Sequence, residues 1–109
     1  VPLHPRRLRE RGYNQALELA RVVARRLHIP LAEGACRRVL ATRHQADLDR
    51  RERRRNVRGA FEPGPRRPPD RVAVVDDVIT TGSTVAEVTR VLRRAGARQV
   101  VIWAPARRP

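Results

Sequence analysis

Apolar residues recur at three- and four-residue steps from Leu17 to Leu27. This spacing predicts an amphipathic helix over residues 17–27, with Asn14 positioned to cap its start and Pro30 positioned to stop it. The basic segment over residues 5–11 has no such period, so we predict a loop there. The short apolar stretch at residues 39–41 is a strand candidate.

The clearest pattern lies in the last third of the chain. Residues 72–75 are a continuous, mostly β-branched apolar run, which is typical of a buried parallel strand. A helical apolar face follows over residues 85–95, and Gly96 is positioned to end that helix. Residues 100–103 are a second apolar run. Strand, helix and strand in this order predict a βαβ unit and an α/β fold with a parallel sheet and flanking helices.

Residues 42–70 lie between these two patterns and have no clean period. They contain nine arginines, and residues 62–70 hold four prolines and a glycine. Stretches of this length without a period inside a compact domain are usually functional loops or linkers. We therefore predict a long, flexible, arginine-rich loop over residues 42–70, within one domain of residues 1–109.

The chain is strongly basic. Its 25 basic residues are all arginine and, against 11 acidic residues, give a formal net charge of +14. This charge favours a polyanionic partner, which is a nucleic acid, a phosphorylated small molecule or an anionic membrane surface. No apolar run reaches the roughly 20 residues of a membrane span, so no membrane insertion is expected. The single cysteine, Cys36, excludes a disulfide framework and fits a cytoplasmic location.

Candidate chemistry lies in the turn between the predicted strand and helix near residue 80. Two carboxylates, Asp76 and Asp77, leave the carboxyl end of the buried strand, where α/β sheets bind ligands. Three hydroxyl side chains and a glycine precede the helix, whose N-terminal amides and dipole favour an anion. Thr84 and Glu87 fit a capping box that would fix the helix start. The acids suit sugar hydroxyls or a divalent cation, so these parts predict a ribose 5-phosphate pocket.

Residues 72–84, VAVVDDVITTGST, resemble the phosphoribosyl-pyrophosphate (PRPP) signature of type I phosphoribosyltransferases. Residues 2–16 and 45–61 resemble the competence-protein ComF family. The resemblance covers nearly the whole chain and implies a type I phosphoribosyltransferase-like α/β fold. It also implies that the fold is incomplete here, because the first strand and the hood over the acceptor are expected outside residues 1–109.

The resemblance assigns roles to individual residues. It implies that Asp76 and Asp77 hold the ribose hydroxyls, with no direct protein ligand to a metal and only contacts through ribose or water. The 5-phosphate loop corresponds to Thr80, Thr81, Gly82, Ser83 and Thr84. The turn over residues 3–11 occupies the place of the pyrophosphate loop, with Arg7 and Arg11 as charge partners.

Residues 43–58 occupy the place of the flexible loop that closes over the reaction centre in the family. Its candidate ligand-contacting residues are Arg43, Gln45, Arg54, Arg55 and Asn56, of which Arg43, Gln45 and Arg55 are the catalytic candidates. Many phosphoribosyltransferases have a lysine in one of these loops, whereas this chain has none. Arginine can replace lysine as a phosphate partner, with a fork geometry in place of a point charge.

The resemblance implies that the chain binds PRPP or another phosphoribosyl ligand together with Mg²⁺, and that the full-length protein transfers a pentosyl group. It also implies a link to DNA uptake in competence, with single-stranded DNA, a homodimer or competence-machinery proteins as partners. Two alternatives to an enzyme stay open, namely a PRPP sensor and a basic DNA-binding module. The residues do not identify an acceptor nucleophile.

Overall fold

The computed structural model describes residues 1–40 and 50–108. The helices are α1 (Pro5–Arg11), α2 (Gln15–Leu27), α3 (Arg50–Val57) and α4 (Ser83–Arg94). The strands are β1 (Cys36–Arg38), β2 (Phe61–Pro63), β3 (Arg71–Val75), β4 (Val78–Ile79), β5 (Gln99–Trp103) and β6 (Ala106–Arg107). Within these described ranges, no helix is both long enough and apolar enough to cross a membrane.

The predicted βαβ unit is confirmed as β3, α4 and β5. The two strands are parallel, and their register runs from the pair Arg71 and Gln99 to the pair Val75 and Trp103. Helix α4 buries an apolar face that includes Val88, which is 2% exposed. Gly96 follows the helix with φ of 121° and donates its N–H to the carbonyl of Arg93, which confirms it as the stop signal.

Helix α2 is confirmed with the predicted cap. The Asn14 side chain accepts a hydrogen bond from the backbone N–H of Leu17 at 3.1 Å. The helix ends at His28, which adopts a left-handed conformation with φ of 55°. Helix α2 packs against β3.

The loop predicted over residues 5–11 is wrong, because these residues form α1. Pro5 has the φ angle of a first helical residue, and the His4 side chain accepts a hydrogen bond from the N–H of Arg6 at 3.1 Å. At the other end, Gly12 has φ of 80° and donates its N–H to Leu8 at 2.7 Å. These local caps define a helix that lacks a long apolar face.

We predicted a loop over residues 42–70. In its described part, residues 50–70, the structure instead contains α3 and β2. β2 pairs in antiparallel fashion with β1 at Cys36–Arg38. Of the strand candidate at residues 39–41, residues 39 and 40 follow β1 without strand structure, and residue 41 lies outside the described residues. Val57, Ala60 and Phe61 are all at most 3% exposed and anchor this segment in the core. Three buried apolar residues therefore anchor a stretch in which most other side chains are polar.

A separate parallel pair joins the turn after β3 to the end of the chain. β4 pairs with β6, and Arg108 donates its N–H to the carbonyl of Ile79 at 2.8 Å. The turn predicted as an irregular loop therefore contains a short strand. This pairing holds the segment between the two acids and the hydroxyl-rich loop.

Candidate functional site

Asp76 and Asp77 lie directly after the carboxyl end of β3. The backbone N–H of Asp76 donates to the carbonyl of Trp103 at 3.1 Å, which extends the strand pairing by one residue. The Asp76 carboxylate accepts the N–H of Asp77 at 2.9 Å, and the Asp77 carboxylate accepts the N–H of Val78 at 2.9 Å. These bonds fix both acidic side chains at the sheet edge where α/β proteins bind ligands.

The environment of Asp76 disfavours its charge. Burial, followed by a hydrogen bond with the Asp77 side chain, raises the pKa of Asp76 from 3.8 to about 6. A buried carboxylate gains most from hydrogen-bond donors that replace lost water. Ribose hydroxyls are donors of this kind, so the electrostatics of the pair suit the sugar better than a phosphate.

The hydroxyl-rich loop forms a tight turn before α4. Gly82 has φ of 82°, a left-handed conformation that glycine adopts without strain. The hydroxyls of Thr81 and Ser83 lie 2.9 Å apart, and Ser83 is buried at 8% exposure. The first amides of a helix have no intrahelical acceptor, and the helix dipole adds positive potential there. The turn is therefore a candidate anion site beside the acidic pair.

The capping box predicted for Thr84 and Glu87 is wrong. The helix N-cap is Gly82, which makes no side-chain capping bond. Glu87 instead accepts the N–H of Gly59 at 3.2 Å and the Nε–H of Arg90 at 3.1 Å. The Arg90 hydrogen bond lowers the pKa of Glu87 below its ordinary value. Glu87 thus connects the turn after α3 to the helix that begins at the anion site.

The N-terminal segment also reaches the site. The backbone nitrogen of Val1 donates to the carbonyl of Val75 at 2.6 Å, and the Asn14 amide donates to the carbonyl of Val1 at 3.1 Å. Asn14 therefore has two roles, of which the sequence pattern indicated only the helix cap. This contact positions the segment that leads into α1, which contains Arg7 and Arg11, beside the residue before Asp76.

The residues predicted for the closing loop divide into two groups. Arg43 and Gln45 lie outside the described residues, so their predicted roles stay predictions. Arg54, Arg55 and Asn56 lie on α3, where the two arginines are exposed. Helix α3 packs against α4.

A cavity of about 1060 Å³ lies next to this site, between α2 and the β3–β5 pair. Its lining is mainly apolar and includes Leu17, Val23 and Val101, but none of residues 76–84. Arg66, Arg67 and Arg71 also line it.

The described residues contain no group of three or more His, Cys, Asp or Glu side chains that could hold a metal ion. Asp76 and Asp77 nevertheless supply the hard carboxylate oxygens that Mg²⁺ prefers. Mg²⁺ usually keeps several waters and binds through one or two carboxylates plus substrate phosphates. The acidic pair fits that mode of binding, with contacts through water or sugar.

Comparison with known proteins identifies relatives along almost the whole chain. It is 42% identical to Competence protein F of Haemophilus influenzae, over 98% of this chain and 48% of that protein. It is 42% identical to DNA utilization protein YhgH of Escherichia coli K12 and 41% identical to that of Salmonella typhimurium, in each case over 94% of this chain and 45% of the relative.

The chain therefore spans about half the length of these curated relatives. They confirm the resemblance to the ComF family that residues 2–16 and 45–61 indicated. No solved structure gave a significant match. The phosphoribosyl transferase domain matches residues 14–109, which include β3, the acidic pair and the anion site. This chain belongs to the phosphoribosyl transferase domain family.

Proposed function

We propose that residues 76–84 bind the ribose 5-phosphate part of PRPP. The observation that supports this most directly is the placement of two fixed carboxylates next to the left-handed Gly82 turn at the start of α4. The carboxylates can accept hydrogen bonds from the ribose hydroxyls, and the N-terminal amides of the helix can donate hydrogen bonds to a phosphate. Both lie within one turn at the carboxyl end of a parallel strand.

We further propose that PRPP binds together with Mg²⁺. The ion would be held chiefly by pyrophosphate and ribose oxygens, with Asp76 and Asp77 contributing through water or the sugar hydroxyls. When bound, Mg²⁺ neutralises charge on the departing pyrophosphate. The protein groups orient the ribose and hold the 5-phosphate, so this half of the ligand stays fixed while the bond at C1 loosens. No protein nucleophile is required for this chemistry.

Calorimetric titration with PRPP in the presence of Mg²⁺ tests the proposed site. The double variant Asp76→Asn/Asp77→Asn is expected to lose at least about tenfold in affinity, because each neutral amide replaces a charge-assisted hydrogen bond with a weaker one. The matched control is Asp70→Asn, an exposed acid at the other end of β3, which should bind PRPP like the parent. Unchanged affinity in the double variant would contradict the assignment of the acids.

A second candidate function is binding of DNA. Two observations favour it, namely the net charge of +14 and the similarity to proteins called Competence protein F and DNA utilization protein. Release of pyrophosphate from PRPP, measured with candidate acceptors, separates an enzyme from a PRPP-sensing or DNA-binding module. The enzyme predicts release that depends on an acceptor, and the other two predict none.

A further inference from the structure

Four exposed arginines lie along one side of α3. Arg51, Arg54, Arg55 and Arg58 stand at positions i, i+3, i+4 and i+7, with Arg58 in the turn directly after the helix. Residues at these steps share a helix face. Seven residues of helix rise about 10 Å. We refer to these four residues as the arginine stripe.

The attachment of α3 leaves the stripe accessible. Val57, at 2% exposure, anchors the helix in the core from a different side. The turn that follows is fixed by the hydrogen bond from Gly59 to Glu87 at 3.2 Å. The helix is thus held from its last turn onward, while the stripe faces solvent.

The charge of this segment is not balanced within the helix. Residues 50–58 contain six arginines and one acid, Glu52. Arginines three and four residues apart repel one another and destabilise a helix. In α2 and α4, Arg21 and Arg90 each form an ion pair with an acid three residues earlier, whereas residues 50–58 offer one acid to six arginines. An anion bound along the stripe would relieve the repulsion within α3.

We propose that the arginine stripe binds the phosphate backbone of a nucleic-acid strand, independently of base sequence. Four guanidinium groups within about 10 Å can neutralise neighbouring phosphates of one strand, whatever its base sequence. The proposal rests on the second candidate function, DNA binding, and assigns a binding surface to it. It does not require the PRPP site.

The composition around the stripe favours a nucleic acid over a membrane. Helices that lie on membranes bury an apolar face in the lipid, whereas Val57, the apolar residue of α3, already lies in the protein core. Phe61, the aromatic residue nearest in sequence, is 3% exposed and does not offer a stacking surface. Recognition therefore depends on phosphate charge and not on the bases.

Fluorescence anisotropy with a labelled oligothymidylate of about 20 nucleotides tests the stripe. Each arginine–phosphate contact on a single strand contributes about 0.7 to the slope of log affinity against log salt. Arg51→Gln/Arg54→Gln is therefore expected to bind about 25-fold more weakly at about 0.1 M salt and to reduce the slope by about 1.4. Arg51→Lys/Arg54→Lys keeps the charge and should stay within about threefold of the parent.

The matched control is Arg25→Gln/Arg26→Gln, which removes two exposed arginines from α2. It should change affinity by less than about threefold. If the stripe double variant loses its helix content, Arg58→Gln replaces it, with an expected loss of about fivefold. Circular dichroism and a melting curve for each variant separate lost contacts from lost folding.

Three results would overturn the proposal. Equal losses in the stripe and control variants would show that binding is spread over the whole charged surface. Reduced binding to phosphatidylserine vesicles with unchanged oligonucleotide affinity would assign the stripe to membranes. Reduced PRPP affinity with unchanged oligonucleotide affinity would assign the stripe to the PRPP site. Failure of the parent chain to bind PRPP would contradict the proposed PRPP site and leave this proposal standing.

Discussion

Replacement of Asp76 by asparagine is expected to stabilise the fold while it weakens ligand binding. The pKa of Asp76 is raised from 3.8 to about 6, chiefly by burial. At neutral pH the folded protein therefore holds a charge that its environment disfavours. Asparagine imitates the protonated acid, because its oxygen can still accept the N–H of Asp77 and its amide can donate to the Asp77 carboxylate.

The size of the pKa shift of Asp76 sets an upper limit on the gain in the free energy of unfolding. One pKa unit corresponds to about 1.4 kcal/mol, so the shift gives a ceiling of about 3 kcal/mol. Solvent screening at this half-buried site reduces the expected gain to about 1.5 kcal/mol. For a domain of this size that is a rise in Tm of about 6–10 °C near pH 7.

The stability gained by Asp76→Asn should decrease as the pH falls. As pH falls through the raised folded pKa toward the ordinary value, the folded protein binds the proton first, and the penalty of the native charge disappears. The difference in Tm between the parent and Asp76→Asn should therefore shrink as the pH falls and reach near zero at about pH 3, below the ordinary pKa.

Differential scanning fluorimetry across this pH range measures the effect. Asp70→Asn, at an exposed position, serves as the control and should shift Tm by less than about 3 °C. An Asp76→Asn variant no more stable than the parent near neutral pH would refute the reasoning, as would a gain of equal size at acid pH.

Three further changes test other parts of the structure. Gly82→Ala has no steric clash but must hold φ of 82°, so it should lose about 1 kcal/mol in urea unfolding and bind ribose 5-phosphate more weakly. Glu87→Ala removes the acceptor of the Gly59 N–H and should cost about 1 kcal/mol near neutral pH. Because Arg90 lowers the pKa of Glu87, that cost should shrink only when acid protonates the carboxylate in the parent. Burial raises the pKa of Cys36 to about 11, so iodoacetamide should modify the thiol slowly until urea unfolds the chain.

The parts of the fold that the sequence predicts are those whose signals are local and strong. The run over residues 72–75, the helical spacing of α4 and the Asn14 cap of α2 each specify an element without knowledge of its neighbours. The acidic pair and the Gly82 turn follow from the same segment, since chain order alone positions them at the end of β3. The placement of these residues at the end of β3 was therefore predictable from the sequence.

The missed features depend on contacts distant in sequence. Helix α3 is mostly arginine and takes its place because Val57 and Ala60 are buried and the helix packs against α4. Glu87 has the spacing of a capping residue, yet its carboxylate binds Gly59, which lies 28 residues away. The strand at Cys36–Arg38 likewise depends on its antiparallel partner β2 and has little apolar character of its own. Tertiary packing determines these elements and contacts and overrides local propensity.

The most direct test of the account is a calorimetric comparison of three ligands. The parent chain is titrated with PRPP, ribose 5-phosphate and pyrophosphate, each with and without Mg²⁺. A site that holds the ribose phosphate together with a magnesium-bound pyrophosphate predicts that PRPP binds more tightly than either fragment, and only when Mg²⁺ is present. PRPP binding no tighter than ribose 5-phosphate and indifferent to Mg²⁺, in a chain shown to be folded, would contradict it.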